Sequence, residues 1–301
     1  MNDWKELYQP LEQGNFRAVA RSISMVENEV EGYQHFLENL SLPSTKLIGV
    51  TGPPGAGKST LVDALIGEWA GVGESVAVVC VDPSSPFNRG ALLGDRIRMS
   101  QWYNHPKVFI RSLATRGSLG GLHPKIIEIT DVLKAARFGV IVIETVGVGQ
   151  TEMEIAGLAD TTVVVLVPEG GDDVQAMKSG LLEGADIFVV NKADRPGADN
   201  FTSHLRQMLS PPFNARQPAP PVIKTVSTQK LGIPELFNSI VAHQQERPLS
   251  EKKHWLLAQK AYQLIQHERM KEVNISVLKE KLLAQEDGAD FNLYRFVKEF
   301  L

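Results

Sequence analysis

Seven short runs of apolar, mostly β-branched residues punctuate the middle of the chain. They read KLIGVTG (46–52), SVAVVCVD (75–82), KVFIRSL (107–113), FGVIVIET (138–145), TTVVVLVP (161–168), DIFVVNKAD (186–194) and PVIKTVS (221–227). Runs this short and this continuously apolar predict strands buried on both faces, and the stretches between them carry helical patterns. That alternation predicts an α/β fold, a mostly parallel sheet with helices on both faces. Ahead of the first run, Leu11, Phe16, Val19, Ala20, Ile23 and Val26 recur at three- and four-residue steps until SLPST breaks the helical period. LSPPFNARQPAPP (209–221) reads as a loop before the last strand. After about Pro248 no strand candidate follows. Trp255, Ala258, Tyr262 and Ile265 form a helical stripe there, and DFNLYRFVKEFL ends the chain with another. The pattern divides the chain into an N-terminal helical extension (1–44), an α/β domain (45–245) and a C-terminal helical segment (246–301).

Composition narrows the function classes. The 301 residues suffice for one large α/β domain with appendages, or for two small domains. A net charge of −4 and a pI near 6.0 offer no basic footprint for nucleic acid. The lone Cys80 excludes an internal disulfide and a cysteine-built metal site, and it reads as a small buried strand residue. The seven histidines show no H-x-H or H-E-x-x-H spacing. No apolar run approaches the roughly 20 residues that span a bilayer. MNDWKELYQP lacks the basic-then-apolar order of a signal peptide. The expectation is a cytoplasmic protein with neither membrane nor nucleic-acid partners.

Two motifs carry chemistry. In GVTGPPGAGKSTL, Gly52 is followed by Pro53, Pro54, Gly55 and Ala56, then by Gly57, Lys58, Ser59 and Thr60. The motif follows a strand and opens a helix, the setting of a P-loop NTPase phosphate site. Glycines let backbone amides curl round a β-phosphate, and the helix N-terminus adds positive potential. Lys58 is expected to bridge the β- and γ-phosphates, and the Ser59 hydroxyl to bind Mg²⁺. The second motif, N-K-x-D, is Asn191, Lys192 and Asp194 at the end of the sixth run. The Asp194 carboxylate can accept from guanine N1–H and the 2-amino group, donors that adenine lacks. Lys192 can lay its stem over the base, and Asn191 can tie this loop to the phosphate turn. Ser227 can offer its amide to guanine O6. GTP and GDP are the implied ligands.

Three acids fall at or near strand ends. Asp82 ends the second run, Asp95 follows in GALLGDRIRM, and Glu144 ends the fourth run in ETVG. In such a sheet the carboxyl ends of the strands face one crevice. The three acids are therefore candidates to surround the Mg²⁺ held by Ser59, some of them through water. Gly147 is the amide expected to sense a γ-phosphate. The next residue is Val148, which cannot orient water, and Gln150 lies two residues on. Slow intrinsic hydrolysis follows, accelerated when a partner rearranges the loops or supplies an arginine. Arg89, Arg96, Arg98, Arg111 and Arg116 are candidates within the chain.

GNFRAVARSISMVEN, GVTGPPGAGKSTL, VDPSSPF…GALLGDRIRM, ETVGVGQTE, GGDDVQAMKSGLLE and NKAD occur in this order across about residues 12–194. Together they resemble the MeaB/ArgK family. The resemblance implies a GTPase of the SIMIBI class acting as a metallochaperone for adenosylcobalamin-dependent methylmalonyl-CoA mutase or a related acyl-CoA mutase. Such proteins gate cofactor loading, protect or reactivate the mutase, and are typically homodimers joined partly through C-terminal helices. The resemblance places Lys58 and Ser59 on the family's phosphate loop, and Asp82, Asp95 and Glu144 on its metal and switch acids. Asn191, Lys192 and Asp194 fall on its base motif. PEGGDDVQAMKSG, with Asp172 and Lys178, falls on a third mobile loop that responds to the partner. Arg89 stands where relatives usually carry a small residue, which implies a stiffer first switch or one with its own cation. Two alternatives remain: an ATPase or kinase of a lysine/arginine/ornithine transport system, and a metal-insertion GTPase of the same class. The guanine reader argues against the first, the lack of clustered Cys and His against the second.

Overall fold

The computed structural model describes residues 4–82, 99–115, 122–147, 151–169, 184–210, 219–245, 251–269, 273, 275–285, 292–298 and 300. The chain forms two compact units, residues 1–250 and 251–301.

The first unit opens with α1 (Lys5–Glu12), α2 (Phe16–Glu27) and α3 (Tyr33–Glu38). Asn15 caps α2: its side-chain oxygen accepts from the Arg17 and Ala18 amides at 3.0 and 3.1 Å. The helical stripe that the sequence predicts is buried, with Val19, Ile23 and Val26 fully enclosed. Phe16 joins the α/β domain, its ring 5.6 Å from that of Phe109 and 6.0 Å from that of Phe138. A polar seam adds to this attachment. Arg111 donates to Ser24 Oγ at 3.0 Å and to Glu27 Oε2 at 3.2 Å. Lys125 Nζ reaches Glu29 Oε1 at 2.7 Å and the Tyr33 hydroxyl at 3.1 Å. Burial opposes the charge on Lys125, but those two bonds and the nearby Glu128 outweigh it and hold its pKa above the ordinary lysine value.

The α/β portion runs β1 (Lys46–Thr51), α4 (Lys58–Gly71), β2 (Val76–Asp82), β3 (Val108–Ala114), α5 (Ile126–Ala135), β4 (Val140–Glu144) and α6 (Thr151–Leu158). It continues with β5 (Thr161–Leu166), β6 (Ile187–Val190), α7 (Ala198–Met208), β7 (Val222–Lys224) and α8 (Ile233–Gln245). Each of the seven apolar runs holds one strand. They form a single sheet in the order β3-β2-β4-β1-β5-β6-β7, and every pairing is parallel.

The continuous apolarity of the strands reflects burial on both faces. On one face Ile48, Val50, Val78, Val142, Val163 and Val189 meet Leu61, Leu65 and Ile66 of α4 and Leu236 and Ile240 of α8. On the other, Val164, Leu166, Phe188 and Val190 meet Leu205 of α7. A Cβ on Gly49 would stand 2.4 Å from Ile155 Cγ1, so the bare backbone of β1 is what admits α6 against it.

Strand order fixes where a ligand belongs. From β1 the chain passes to β2 on one side, whereas β4 is followed by β5 on the other. Neighbouring strands whose connections diverge in this way leave a crevice at their carboxyl ends. The register sets Val50 beside Glu144, so the loops leaving β1 and β4 start side by side.

The second unit holds α9 (Glu251–Arg269), α10 (Ile275–Gln285) and α11 (Leu293–Lys298). Phe296 is buried there, with the Phe300 ring 5.1 Å away and Lys281 Nζ 4.6 Å above that ring. On α9, Trp255, Tyr262 and Ile265 are 60%, 63% and 52% exposed. Among the described residues no helix is long and apolar enough to cross a membrane.

Candidate functional site

The turn from β1 to α4 spans residues 52–57 and contains three glycines with positive φ, at 138° (Gly52), 77° (Gly55) and 88° (Gly57). Gly57 has a second constraint: a Cβ there would lie 2.5 Å from the side-chain nitrogen of Asn191. Gly57 stands at the N-cap of α4 with φ 88°, a left-handed conformation that a residue without a Cβ adopts readily. Lys58 and Ser59 are buried. The Lys58 ammonium curls back over the turn and donates to the carbonyls of Gly52 at 2.9 Å and Pro53 at 3.1 Å. It is thereby fixed over the loop where a phosphate chain would meet it.

Ser59 Oγ donates to Glu144 Oε1 at 2.6 Å. This buried bond joins the phosphate helix to the end of β4. Asp82 is buried at the end of the adjacent β2, whose Cys80 is in register with Glu144. A serine hydroxyl and two carboxylates at one sheet edge are hard oxygen donors of the kind Mg²⁺ prefers. Among the described residues no three His, Cys, Asp or Glu side chains cluster closely enough to hold a metal by themselves. The donor set of Ser59, Glu144 and Asp82 fits the chemistry of Mg²⁺.

Gly147 overhangs the turn. Its φ is 82°, and a Cβ there would fall 2.1 Å from the Gly52 carbonyl oxygen and 2.6 Å from Lys58 Nζ. Its backbone therefore lies against both the loop and its lysine. Glutamate 144 and Gly147 thus bracket the phosphate turn from the β4 side.

Asn191 organises the other wall. Its Nδ2 donates to Ala56 O at 2.9 Å, while its Oδ1 accepts from Thr225 Oγ1 at 3.1 Å, Ser227 Oγ at 2.8 Å and Ser227 N at 3.3 Å. One side chain thus links the phosphate turn, the end of β6 and the end of β7. Lys192 adopts φ 55° and donates to Gly55 O at 2.7 Å, stretching its stem along the same wall. Asp194 is exposed two residues on.

Lys58, Ser59, Asp82, Glu144, Gly147, Asn191, Lys192, Asp194 and Ser227 all belong to the carboxyl edge of one sheet. Asp95, Arg89, Gln150, Asp172 and Lys178 lie outside the described residues. The sequence reading passed over three threonines. Thr145 Oγ1 donates to Thr51 Oγ1 at 2.9 Å, tying the ends of β4 and β1 just beneath the turn, and Thr225 supports Asn191. The available signal was positional: each follows or ends an apolar run, where a hydroxyl has no hydrophobic reason to be.

Comparison with known proteins bears on this site. The family model described as methylmalonyl Co-A mutase-associated GTPase MeaB matches residues 19–284. A protein of Pyrococcus abyssi, named as a GTPase, is 49% identical over 246 residues, covering 80% of this chain and 76% of its own. GTPase ArgK of Escherichia coli is 36% identical over 246 residues, or 77% of this chain and 73% of that one. A crystal structure of an LAO/AO transport system kinase superposes with a TM-score of 0.69 at 23% identity, over 100% of this chain and 97% of that one, a likeness of fold. The chain belongs to the methylmalonyl Co-A mutase-associated GTPase MeaB family.

Proposed function

We propose that this protein binds GTP with Mg²⁺, hydrolyses it slowly alone and faster with a client, and uses that cycle to chaperone an adenosylcobalamin-dependent acyl-CoA mutase. The family description names methylmalonyl Co-A mutase, which supports that enzyme as the client. The observation that carries the nucleotide reading is the reach of Asn191 from Ala56 to Ser227, which puts the phosphate turn and the guanine motif on one crevice. Lys58 would take the β- and γ-phosphates. Ser59 would hold Mg²⁺, with Glu144 and Asp82 behind it, and the ion would supply charge neutralisation at the phosphate oxygens. The Gly147 amide would report the γ-phosphate to the chain that follows. Val148 offers no group to aim water, which is why a client would have to complete the site. The protein would act in the cytoplasm as a homodimer.

The transport-kinase reading meets an obstacle in Asp194, a guanine reader that an ATP-spending kinase would not need. Calorimetric titration with GTP, GDP and ATP in Mg²⁺ separates the two. Guanine nucleotides should bind and ATP should not; tighter binding of ATP would overturn the proposal. Turnover should stay well below one per second until the mutase is added. A mutase without effect on turnover would remove the chaperone role and leave the GTPase.

A further inference from the structure

The base motif places Asp194 between two cations in sequence, Lys192 and Arg195. An exposed carboxylate so placed can pair with either of them, and a guanine edge would then have to displace that cation. Here both cations are engaged elsewhere. Lys192 Nζ donates to Gly55 O at 2.7 Å, and Arg195 Nη1 donates to Glu169 Oε1 at 2.5 Å. Among the described residues Asp194 itself enters no hydrogen bond or ion pair.

We propose that Glu169 is a specificity-determining residue: by holding Arg195 it keeps the Asp194 carboxylate open for the guanine edge. The proposal rests on the reading of Asp194 as the guanine acceptor. Glu169 suits the task because it stays anionic. Its hydrogen bond from Arg195 comes first, then one within its own backbone, and the Lys192 charge adds to them; together they hold its carboxyl below the usual range. Both partners are about half exposed, at 46% for Arg195 and 51% for Glu169, so the effect is that of a surface ion pair. Releasing Arg195 to Asp194 should weaken guanine binding by roughly two- to fivefold, the worth of such a pair.

The test is GDP affinity by calorimetry at low salt for the full chain and three variants. Glu169→Ala should bind GDP two- to fivefold more weakly, and about 1 M salt should erase most of the deficit. Arg195→Ala and the double variant Glu169→Ala/Arg195→Ala should both bind as tightly as the unaltered protein, because the cation that Glu169 restrains is gone and Lys192 stays on Gly55 O. A tie that merely braces two loops gives the opposite pattern, with all three variants equally weak, and that result overturns the proposal. So does unchanged affinity in Glu169→Ala. ADP provides the separate check on the reading beneath it. If the unaltered protein binds ADP as well as GDP, the base assignment fails and this proposal with it. If GDP is preferred and Glu169→Ala changes nothing, this proposal alone fails.

Discussion

At Gly147 two demands meet in one residue. The backbone must turn through a positive φ, which costs other residues about 1–2 kcal/mol, and it must lie against the Gly52 carbonyl and the Lys58 ammonium. Gly147→Ala violates both. The clash is with backbone, so the phosphate turn itself has to shift. The expected outcome is a loss of GTP binding and turnover well beyond the loss of folding stability, read from a fluorescent GTP analogue and a thermal melt. An alanine variant that binds GTP normally would show that residue 147 does not approach the phosphates. Asn191 makes the complementary case. In Asn191→Asp the three donors to Oδ1 are kept, but the donor to Ala56 O becomes a carboxylate oxygen facing a carbonyl. Leaving that buried group unmet costs about 1–3 kcal/mol. Denaturant unfolding should show a loss of that order, together with weaker binding of GDP and GTP alike, because the wall between phosphate and base is disturbed. If binding weakens for GTP alone, Asn191 acts on the γ-phosphate and the bracing role is wrong.

Among the elements, strands were the most legible from sequence. Each is a run of apolar residues too short for a helix, and burial on both faces removes the polar alternation that could confuse the period. Val19, Ile23 and Val26 were legible for the same reason, a helical step with an enclosed face. The phosphate turn and the base motif could be read because their spacing is itself the geometry. What could not be read was the joinery. The Asn191 bonds bridge 135 residues on one side and 36 on the other, and the Ser59–Glu144 bond bridges 85. Nothing in a local pattern encodes such partners. Nor did sequence reveal that Glu169 holds Arg195 across 26 residues. The packing of α6 on β1 was equally hidden, since a glycine inside a strand carries no pattern of its own. It yields a prediction at this scale. Gly49→Val adds branched carbon where Ile155 Cγ1 would lie 2.4 Å from the Cβ, and Ala159 Cβ 3.1 Å. Overpacking of this kind costs about 1–3 kcal/mol. The variant should melt several degrees lower. Because α6 follows directly after the Gly147 segment, its displacement should also raise the KM for GTP. A drop in melting temperature with KM unchanged would show that α6 can move without disturbing the site.

For the molecule as a whole, the chain forms two compact units. Every described residue of the candidate site lies in residues 1–250. The second unit poses its own physical problem. Along α9, Trp255, Tyr262 and Ile265 share one face at 52–63% exposure, while Leu257 and Leu264 belong to the opposite face. An exposed apolar stripe carrying a tryptophan and a tyrosine suits an interaction site. A second copy of the chain is the occupant consistent with the homodimer proposed above, and burying Trp255, Tyr262 and Ile265 against it would stabilise α9. Trp255→Glu/Ile265→Glu should therefore turn a dimer into a monomer in sedimentation velocity at micromolar concentration, and helix content should fall. GDP affinity should be unchanged, because the nucleotide groups lie elsewhere in the chain. If the unaltered protein already sediments as a monomer, the apolar surface of α9 must serve another partner. Retention of this double variant on an immobilised mutase, compared with that of the unaltered chain, would then decide whether that partner is the client enzyme.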